Sequence, residues 1–566
     1  MKLTKCLSIA AFVLLGSVPI GAIAAPPAGE PADDLAALKP HLRQSLMWDF
    51  PTLGAKYSVT IYYLDETTGP EARDVILYVR NRAWERIGQE DDLSILKDYV
   101  SRRFIVMTLD FGNEPRAVSP AIDDDINLLH RAIFGYKTPS ILRAIKLEPK
   151  PVRCFIMPAG YRVATDLTFW EIDKHGVYGT LEYIMKTYNE EIVPKVPGMK
   201  PAEKPSDMVD RNGKPFDYGI RMDIVYPSQP RKKCPVFVYS DTQPTRDAHH
   251  RYLFQLRGYV YVVMGHCFNP CVTHYWHLNK FTLDHWNGLA CYTAAMRYLN
   301  MHADTYSMDT DRIGMMGISK GQYAVTRLSP PGHEAFTESR RFPGFPLGTP
   351  EPQPWQGHPS RIHAGWQGMG MGLWETEYIT PDYAPTILAC GENDRDVITQ
   401  DGNVRFLAAL EKLDVNHVNL FMEGLGHAIS LGYDKRLGVD RYQLVIDFFD
   451  RYLRAPDRLP PVVLIASPRD GAENVDPSAP IWVQFAPVID ETTVLDGKGI
   501  RVTSAGSAAE VKGTWKASHG GTKFTFVPEA PLAGATPYEV SVTGAVRDKA
   551  GNALQAVRTI RFKTAG

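Results

Sequence analysis

The pentapeptide Gly317-Ile318-Ser319-Lys320-Gly321 constrains this chain more than any other stretch. It comes after the short apolar run Arg312-Ile313-Gly314-Met315-Met316. It leads into Gln322-Tyr323-Ala324-Val325-Thr326-Arg327-Leu328, a segment able to start a helix. A serine between two glycines at a strand-to-helix junction predicts a tight, strained turn. The glycines are a steric requirement, because a β-carbon at either place would meet the neighbouring strand or helix. The Ser319 hydroxyl is then exposed at the carboxyl end of a sheet.

Two later segments fit the same sheet. Ala384-Pro385-Thr386-Ile387-Leu388-Ala389-Cys390-Gly391-Glu392-Asn393-Asp394-Arg395-Asp396-Val397 reads as a buried parallel strand running into an acid-bearing loop. Val418-Asn419-Leu420-Phe421-Met422-Glu423-Gly424-Leu425-Gly426-His427 is another short strand, ending in Gly-x-Gly-His. Serine, aspartate and histidine therefore occur in that order, each after a strand. A serine hydroxyl is a poor nucleophile at neutral pH and needs a base. In this trio His427 would take the proton, and Asp394 would fix its tautomer and stabilise the imidazolium.

On these motifs, residues from about 215 to 454 resemble the catalytic domain of the α/β-hydrolase superfamily. The nearest branch is the secreted one of acetyl xylan esterases, dienelactone hydrolases and prolyl-oligopeptidase-like enzymes. Met296-Arg297-Tyr298-Leu299 and Asp309 to Ser319 resemble its helix and strand before the elbow. Gly391-Glu392-Asn393-Asp394-Arg395-Asp396-Val397 resembles its G-x-x-D-x-x-V loop, which favours Asp394 over Asp396. Gln322 departs from the pattern, since these families carry a small residue there. The resemblance implies an oxyanion hole with one donor from the backbone N–H of Lys320. The second donor would come from the loop after the third strand, among Asp241, Thr242 and Gln243.

Composition bounds the alternatives. The 566 residues imply two or three domains, and 44% hydrophobic with 22% charged residues is ordinary for a globular protein. A net charge of −2 gives no reason to expect nucleic acid or an anionic membrane surface. After the N-terminus no run reaches the ~20 apolar residues of a membrane span. Lys2 and Lys5, the apolar run Leu7 to Ile20 and Ala22-Ile23-Ala24-Ala25 have the pattern of a secretory signal peptide over residues 1–25. Secretion or periplasmic location is the expectation. Six cysteines remain beyond it. Cys267 and Cys271 are near enough to pair, whereas Cys234 and Cys390 read as buried thiols.

Residues 26–200 form an N-terminal α/β region in this reading, and 201–455 the hydrolase-like domain. Residues 26 to about 45 read as an extended or partly helical lead-in. Strands at Tyr57 to Tyr63, Asp74 to Val79 and Phe104 to Phe111 flank a helix at Asp91 to Arg103. A similar order returns at Tyr218 to Tyr226, Pro235 to Ser240, His249 to Arg257 and Tyr259 to Met264. The N-terminal region is therefore either a partial, serine-free copy of the hydrolase's first strands or a coincidence of common units. Asp123 to Asp125 reads as a helix N-terminus. An amphipathic helix is expected at Tyr178 to Tyr188, and Ser329 to Pro359 reads as a lid or cleft wall.

Beyond Ala455-Pro456-Asp457-Arg458-Leu459-Pro460-Pro461 the chain alternates with period two between turns. Residues 460–566 resemble a bacterial Ig-like domain. The fold class expected is α/β, with an all-β sandwich appended.

His266, His274, His277 and His285 lie among aromatic residues without a zinc spacing. His266, Gln243 and Trp366 are candidates for substrate contacts, and neither a metal nor a cofactor is expected. The resemblance implies a serine hydrolase acting on carboxylic esters, such as acetyl or aryl groups on polysaccharide. A prolyl-oligopeptidase-like peptidase and a non-catalytic binding protein on the same scaffold are the alternatives.

Overall fold

The computed structural model describes residues 41–64, 72–84, 87–135, 139–171, 185–186, 188–195, 197–209, 213–215, 219–230, 232–240, 253–264, 292–331, 357–369, 376, 379–394, 397–454, 458–505 and 509–566. The leader, the Tyr178 to Tyr188 helix, most of the Ser329 to Pro359 segment and the histidine-rich loop lie outside these, wholly or in their larger part. So do Cys267 and Cys271.

Two open sheets come first. The N-terminal sheet has five strands: β1 (His41–Phe50), β2 (Ala55–Leu64), β3 (Arg73–Arg80), β4 (Ile105–Asp110) and β5 (Pro149–Pro158). Their spatial order is β1-β2-β4-β3-β5. β1–β2 and β2–β4 are antiparallel, while β3 is parallel to both β4 and β5. The longer helices among these connections are α1 (Asp92–Ser101) and α2 (Asp123–Phe134), and a single helical turn at Ile141–Ala144 precedes β5. Asp91 caps α1 by accepting from the Ser94 N–H, and Asp123, Asp124 and Asp125 occupy the first turn of α2, where carboxylates complement the helix dipole.

The second sheet has eight strands: β6 (Tyr161–Glu171), β7 (Gly219–Pro227), β8 (Cys234–Ser240), β9 (Val260–Met264), β10 (Met308–Ile318), β11 (Ala364–Gly368), β12 (Thr386–Gly391) and β13 (His417–Met422). The order is β13-β12-β11-β10-β8-β9-β7-β6. β7 runs antiparallel to both its neighbours, and the pairs from β9 through β13 are parallel. Every residue of β8 is buried, as expected of a central parallel strand covered on both faces. A helix over 292–301 precedes β10, and α3 (Gln322–Leu328), α4 (Val397–Lys412) and α5 (Arg441–Phe449) come later in turn.

The domain division shifts from the expected one. β6 belongs to the eight-stranded sheet, which therefore starts at Tyr161 rather than near residue 201. Its alternation is weak because its burial is uneven and register shifts interrupt its pairing with β7. Likewise residues 41–50 are a full edge strand, not a lead-in.

The two sheets share one hydrophobic cluster, which includes Tyr78, Phe155, Tyr161, Phe237 and Trp366. Phe237 stacks on Phe254 with ring centroids 3.7 Å apart. Polar ties also cross between them. Arg153 of β5 reaches Asp74 (2.8 Å), Asp166 (3.2 Å) and the fully buried Asp223 (3.5 Å). Arg162 of β6 binds Glu90 and holds its carboxyl down at about 2.

The C-terminal unit is a sandwich of two four-stranded sheets around Phe485, Phe524, Phe526, Tyr538 and Phe562. It docks on the amino end of β13. Gln484 Nε2 donates to the His417 carbonyl at 2.6 Å, and the His417 and His519 rings stack at 4.0 Å. Among the described residues no helix is long and apolar enough to cross a membrane.

Candidate active site

Ser319 sits where β10 ends, in a single 3-10 turn over Ser319–Gly321 that leads into α3. Its φ is +53°, a left-handed conformation that costs a non-glycine residue about 1–3 kcal/mol. The flanking glycines explain how the turn closes. A β-carbon on Gly317 would stand 2.2 Å from the Gly321 carbonyl oxygen, and one on Gly321 would stand 2.6 Å from the Ser240 carbonyl oxygen. Neither contact is tolerable, so the elbow needs both glycines. Gln322 does not prevent it: the side chain is buried at 2% exposure at the start of α3. Its Oε1 is left without a partner there.

The three expected residues come together. Ser319 Oγ lies 3.0 Å from His427 Nε2, and His427 Nδ1 lies 2.9 Å from Asp394 Oδ2. Since the Asp394 carboxylate can only accept when ionised, Nδ1 carries the proton in that arrangement and Nε2 is free to accept from serine. The Asp394 side chain is 1% exposed and that of His427 is 45% exposed, so the acid is enclosed and the base reaches solvent.

Backbone contacts hold the two loops against each other. The Asn393 N–H donates to the Leu425 carbonyl at 2.7 Å, and the Glu392 carboxylate accepts from the Gly424 N–H at 3.2 Å. A β-carbon on Gly391 would come within 2.0 Å of the Gly426 oxygen. The acid loop and the histidine loop are thus in backbone contact, which the sequence pattern alone did not reveal. Nearby, Ser240 Oγ and Tyr292 Oη share a buried hydrogen bond of 2.7 Å that pins the end of β8 beside Gly321. Burial, then the Asp394 charge, pushes the Cys390 thiol up to about 11, so it stays protonated next to the acid loop.

Other expected site residues fare differently. Trp366 is not a cleft residue: it lies on the central strand β11, fully buried in the core shared by the two sheets. Its period-two neighbours on the strand gave no sign of which face was enclosed. Lys320 comes directly after the serine in the turn. Asp241, Thr242, Gln243 and His266 lie outside the described residues. Among the described residues no group of three or more His, Cys, Asp or Glu side chains is placed to hold a metal ion.

A family model for the bacterial Ig-like domain covers residues 457–564. This segment is a bacterial Ig-like domain. No curated protein matches the chain. Among solved structures, a truncated carbohydrate esterase from gut microbiota is 12% identical, over 44% of this chain and 93% of that one, with a TM-score of 0.29. A thermophilic esterase of Thermogutta terrifontis with butyrate bound is 16% identical, over 37% and 80%, with a TM-score of 0.29. An α/β-hydrolase from a Medee basin deep-sea metagenome library is 15% identical, over 41% and 93%, with a TM-score of 0.28. At these scores the architecture rests on the strand order and pairing of the two sheets, not on the likeness.

Proposed function

We propose that the chain is an exported serine hydrolase of the α/β-hydrolase type that cleaves carboxylic esters. The observation that carries the reading is the continuous relay from Ser319 Oγ through His427 to the enclosed Asp394, at 3.0 and 2.9 Å. The left-handed serine between two glycines, at the end of a central parallel strand, supports it further.

Ser319 attacks the ester carbonyl as His427 Nε2 accepts its proton. The oxyanion forms at the backbone N–H of Lys320 and a second donor from the segment after β8. His427 then protonates the leaving alkoxide, and water, activated by the same imidazole, releases the acyl group. Acetyl or aryl esters on polysaccharide are the substrates proposed, on the family resemblance and the exported leader. The peptidase alternative needs a propeller of repeated four-stranded blades; the N-terminal region described is instead an open five-stranded α/β sheet.

The test is labelling of the mature protein by a fluorophosphonate, beside Ser319→Ala, and then assay on short-chain p-nitrophenyl esters and proline-containing peptide amides. Labelling and ester turnover are expected, with Ser319→Ala slowing turnover by about 10⁴-fold or more. Amide cleavage in preference to ester would install the peptidase reading. An unlabelled, folded wild type would remove catalysis altogether.

A further inference from the structure

The N-terminal sheet keeps a cleft at the place where the second sheet carries Ser319. At the carboxyl ends of β3, β4 and β5 lies a cavity of about 730 Å³. Parallel open sheets bind ligands outside the carboxyl ends of their strands, and this volume suits a small molecule of one or two rings. Where β10 turns into the serine elbow, β5 ends in Pro158-Ala159-Gly160 and returns directly as β6. The position offers no nucleophile. The far wall comes from the second sheet's segment, through Gln255 and Arg257, so the cavity lies between the two units.

We propose that this cavity is a binding site for a sugar acid, a polyhydroxy ring bearing a carboxylate. Four arginines line it: Arg80, Arg82, Arg257 and Arg454. Arg80 is held by Asp92 at 3.1 Å, and Arg257 and Arg454 are both held by Asp450. Arg82 is exposed and has no ion pair among the described residues, so its guanidinium fork is available to a carboxylate. Trp84 also lines the cavity, its indole fixed by an N–H donation of 2.7 Å to the Ala117 carbonyl. A fixed aromatic face suits the apolar face of a sugar ring.

Two lining residues keep buried polar atoms without partners. Gln255 is 1% exposed, with neither amide oxygen nor nitrogen bonded, and the Tyr161 hydroxyl is equally unpaired. Both side chains keep those polar atoms enclosed, so they shape the wall of the cavity rather than present hydrogen-bonding groups to it. A neutral sugar leaves Arg82 unused. A simple inorganic anion leaves Trp84 unused. A sugar acid engages both.

The experiment is calorimetric titration of the full chain with D-galacturonate, D-galactose and inorganic phosphate. Galacturonate is expected to bind at least about tenfold more tightly than the other two, the difference a charged hydrogen bond supplies. Arg82→Ala should weaken that binding by about tenfold with unchanged thermal stability and unchanged ester turnover. Gln255→Leu should leave that binding unchanged and the fold at least as stable, because the unpaired amide it removes is enclosed. Ser319→Ala should bind as wild type does, which separates this site from the hydrolytic one. Galacturonate binding no tighter than that of galactose or phosphate would overturn the proposal, and so would binding that Arg82→Ala leaves intact.

Discussion

The N-terminal sheet and the first five strands of the second sheet are built alike and end differently. Both have the order first-second-fourth-third-fifth, with the second strand antiparallel to its neighbours and the third parallel to the fourth and fifth. Both place a helix between the fourth and fifth strands, α2 in one and residues 292–301 in the other. The difference lies after the fifth strand. β10 continues through the Ser319 turn into a helix and three more parallel strands, whereas β5 turns back at once. The shared strand order thus ends beside a cavity in one sheet and, in the other, in the left-handed turn of Ser319, the proposed nucleophile.

Each sheet depends on a glycine contact at this point, and replacing either gives the largest expected effect. A β-carbon on Gly88 would stand 1.8 Å from the Gly160 oxygen, closer still than the 2.2 Å at Gly317. Gly88→Ala and Gly317→Ala should each destabilise the protein by about 3 kcal/mol or more, since a backbone oxygen cannot move aside as a side chain does. Chemical denaturation measures the loss. Gly317→Ala should also abolish fluorophosphonate labelling, whereas any Gly88→Ala molecules that remain folded should label normally. Equal loss of labelling per folded molecule in both would break the division of labour between the sheets.

Much of this was legible in the sequence, for reasons that also mark the gaps. Ser319, Asp394 and His427 were readable because each stands beside glycines whose spacing has a steric purpose. β2, β3, β4, β7, β8 and β9 were readable as apolar runs between turn signals. Two of the edge strands were not: β1 carries Arg43, Gln44 and Asp49, and β6 is only partly buried, so neither shows an enclosed strand's pattern. The Ser240–Tyr292 and Glu392–Gly424 contacts join residues 52 and 32 positions apart, and no local pattern announces them. Trp366 was misplaced because a tryptophan is equally suited to a cleft and to a core.

How tightly the two sheets are joined sets the next prediction. Asp123 of α2 is buried, accepting from Ser119 Oγ at 2.9 Å and from Tyr442 Oη of α5 at 2.5 Å. Burial outweighs these bonds and pushes its carboxyl up to about 6. A folded value above the unfolded one means the folded state prefers the proton. The contribution is therefore complete below about 4 and is lost as pH rises through about 6, by at most about 3 kcal/mol. Asp123→Asn keeps an acceptor for both hydroxyls and removes the titration. Its stability should exceed that of the wild type at pH 7, with a flatter profile between pH 4 and 6. Thermal unfolding monitored across that range checks it, and a variant that tracks the wild-type slope would show that the joint does not sense this carboxyl.

The Ig-like domain meets the second sheet through groups of the opposite sign, and here the smallest effect is expected. His519 Nδ1 donates to the His417 carbonyl at 3.2 Å while the rings stack. Burial, then the neighbouring His417 and Lys523, pushes His519 down to about 3, and burial lowers His417 as well. A folded value below the unfolded one means that protonation opposes docking. This stability is present above about 6.5 and is lost as pH falls toward 3, by at most about 1.4 kcal/mol per pH unit for one imidazole. His519→Phe keeps a ring on His417, gives up the hydrogen bond and removes one titrating group. It should lose about 1 kcal/mol at neutral pH and reduce the acid sensitivity of unfolding between pH 6.5 and 5. The two joints would then pull in opposite directions on acidification, the one between the sheets tightening as the one to the Ig-like domain loosens. An unchanged acid slope in His519→Phe would leave that contrast resting on Asp123 alone.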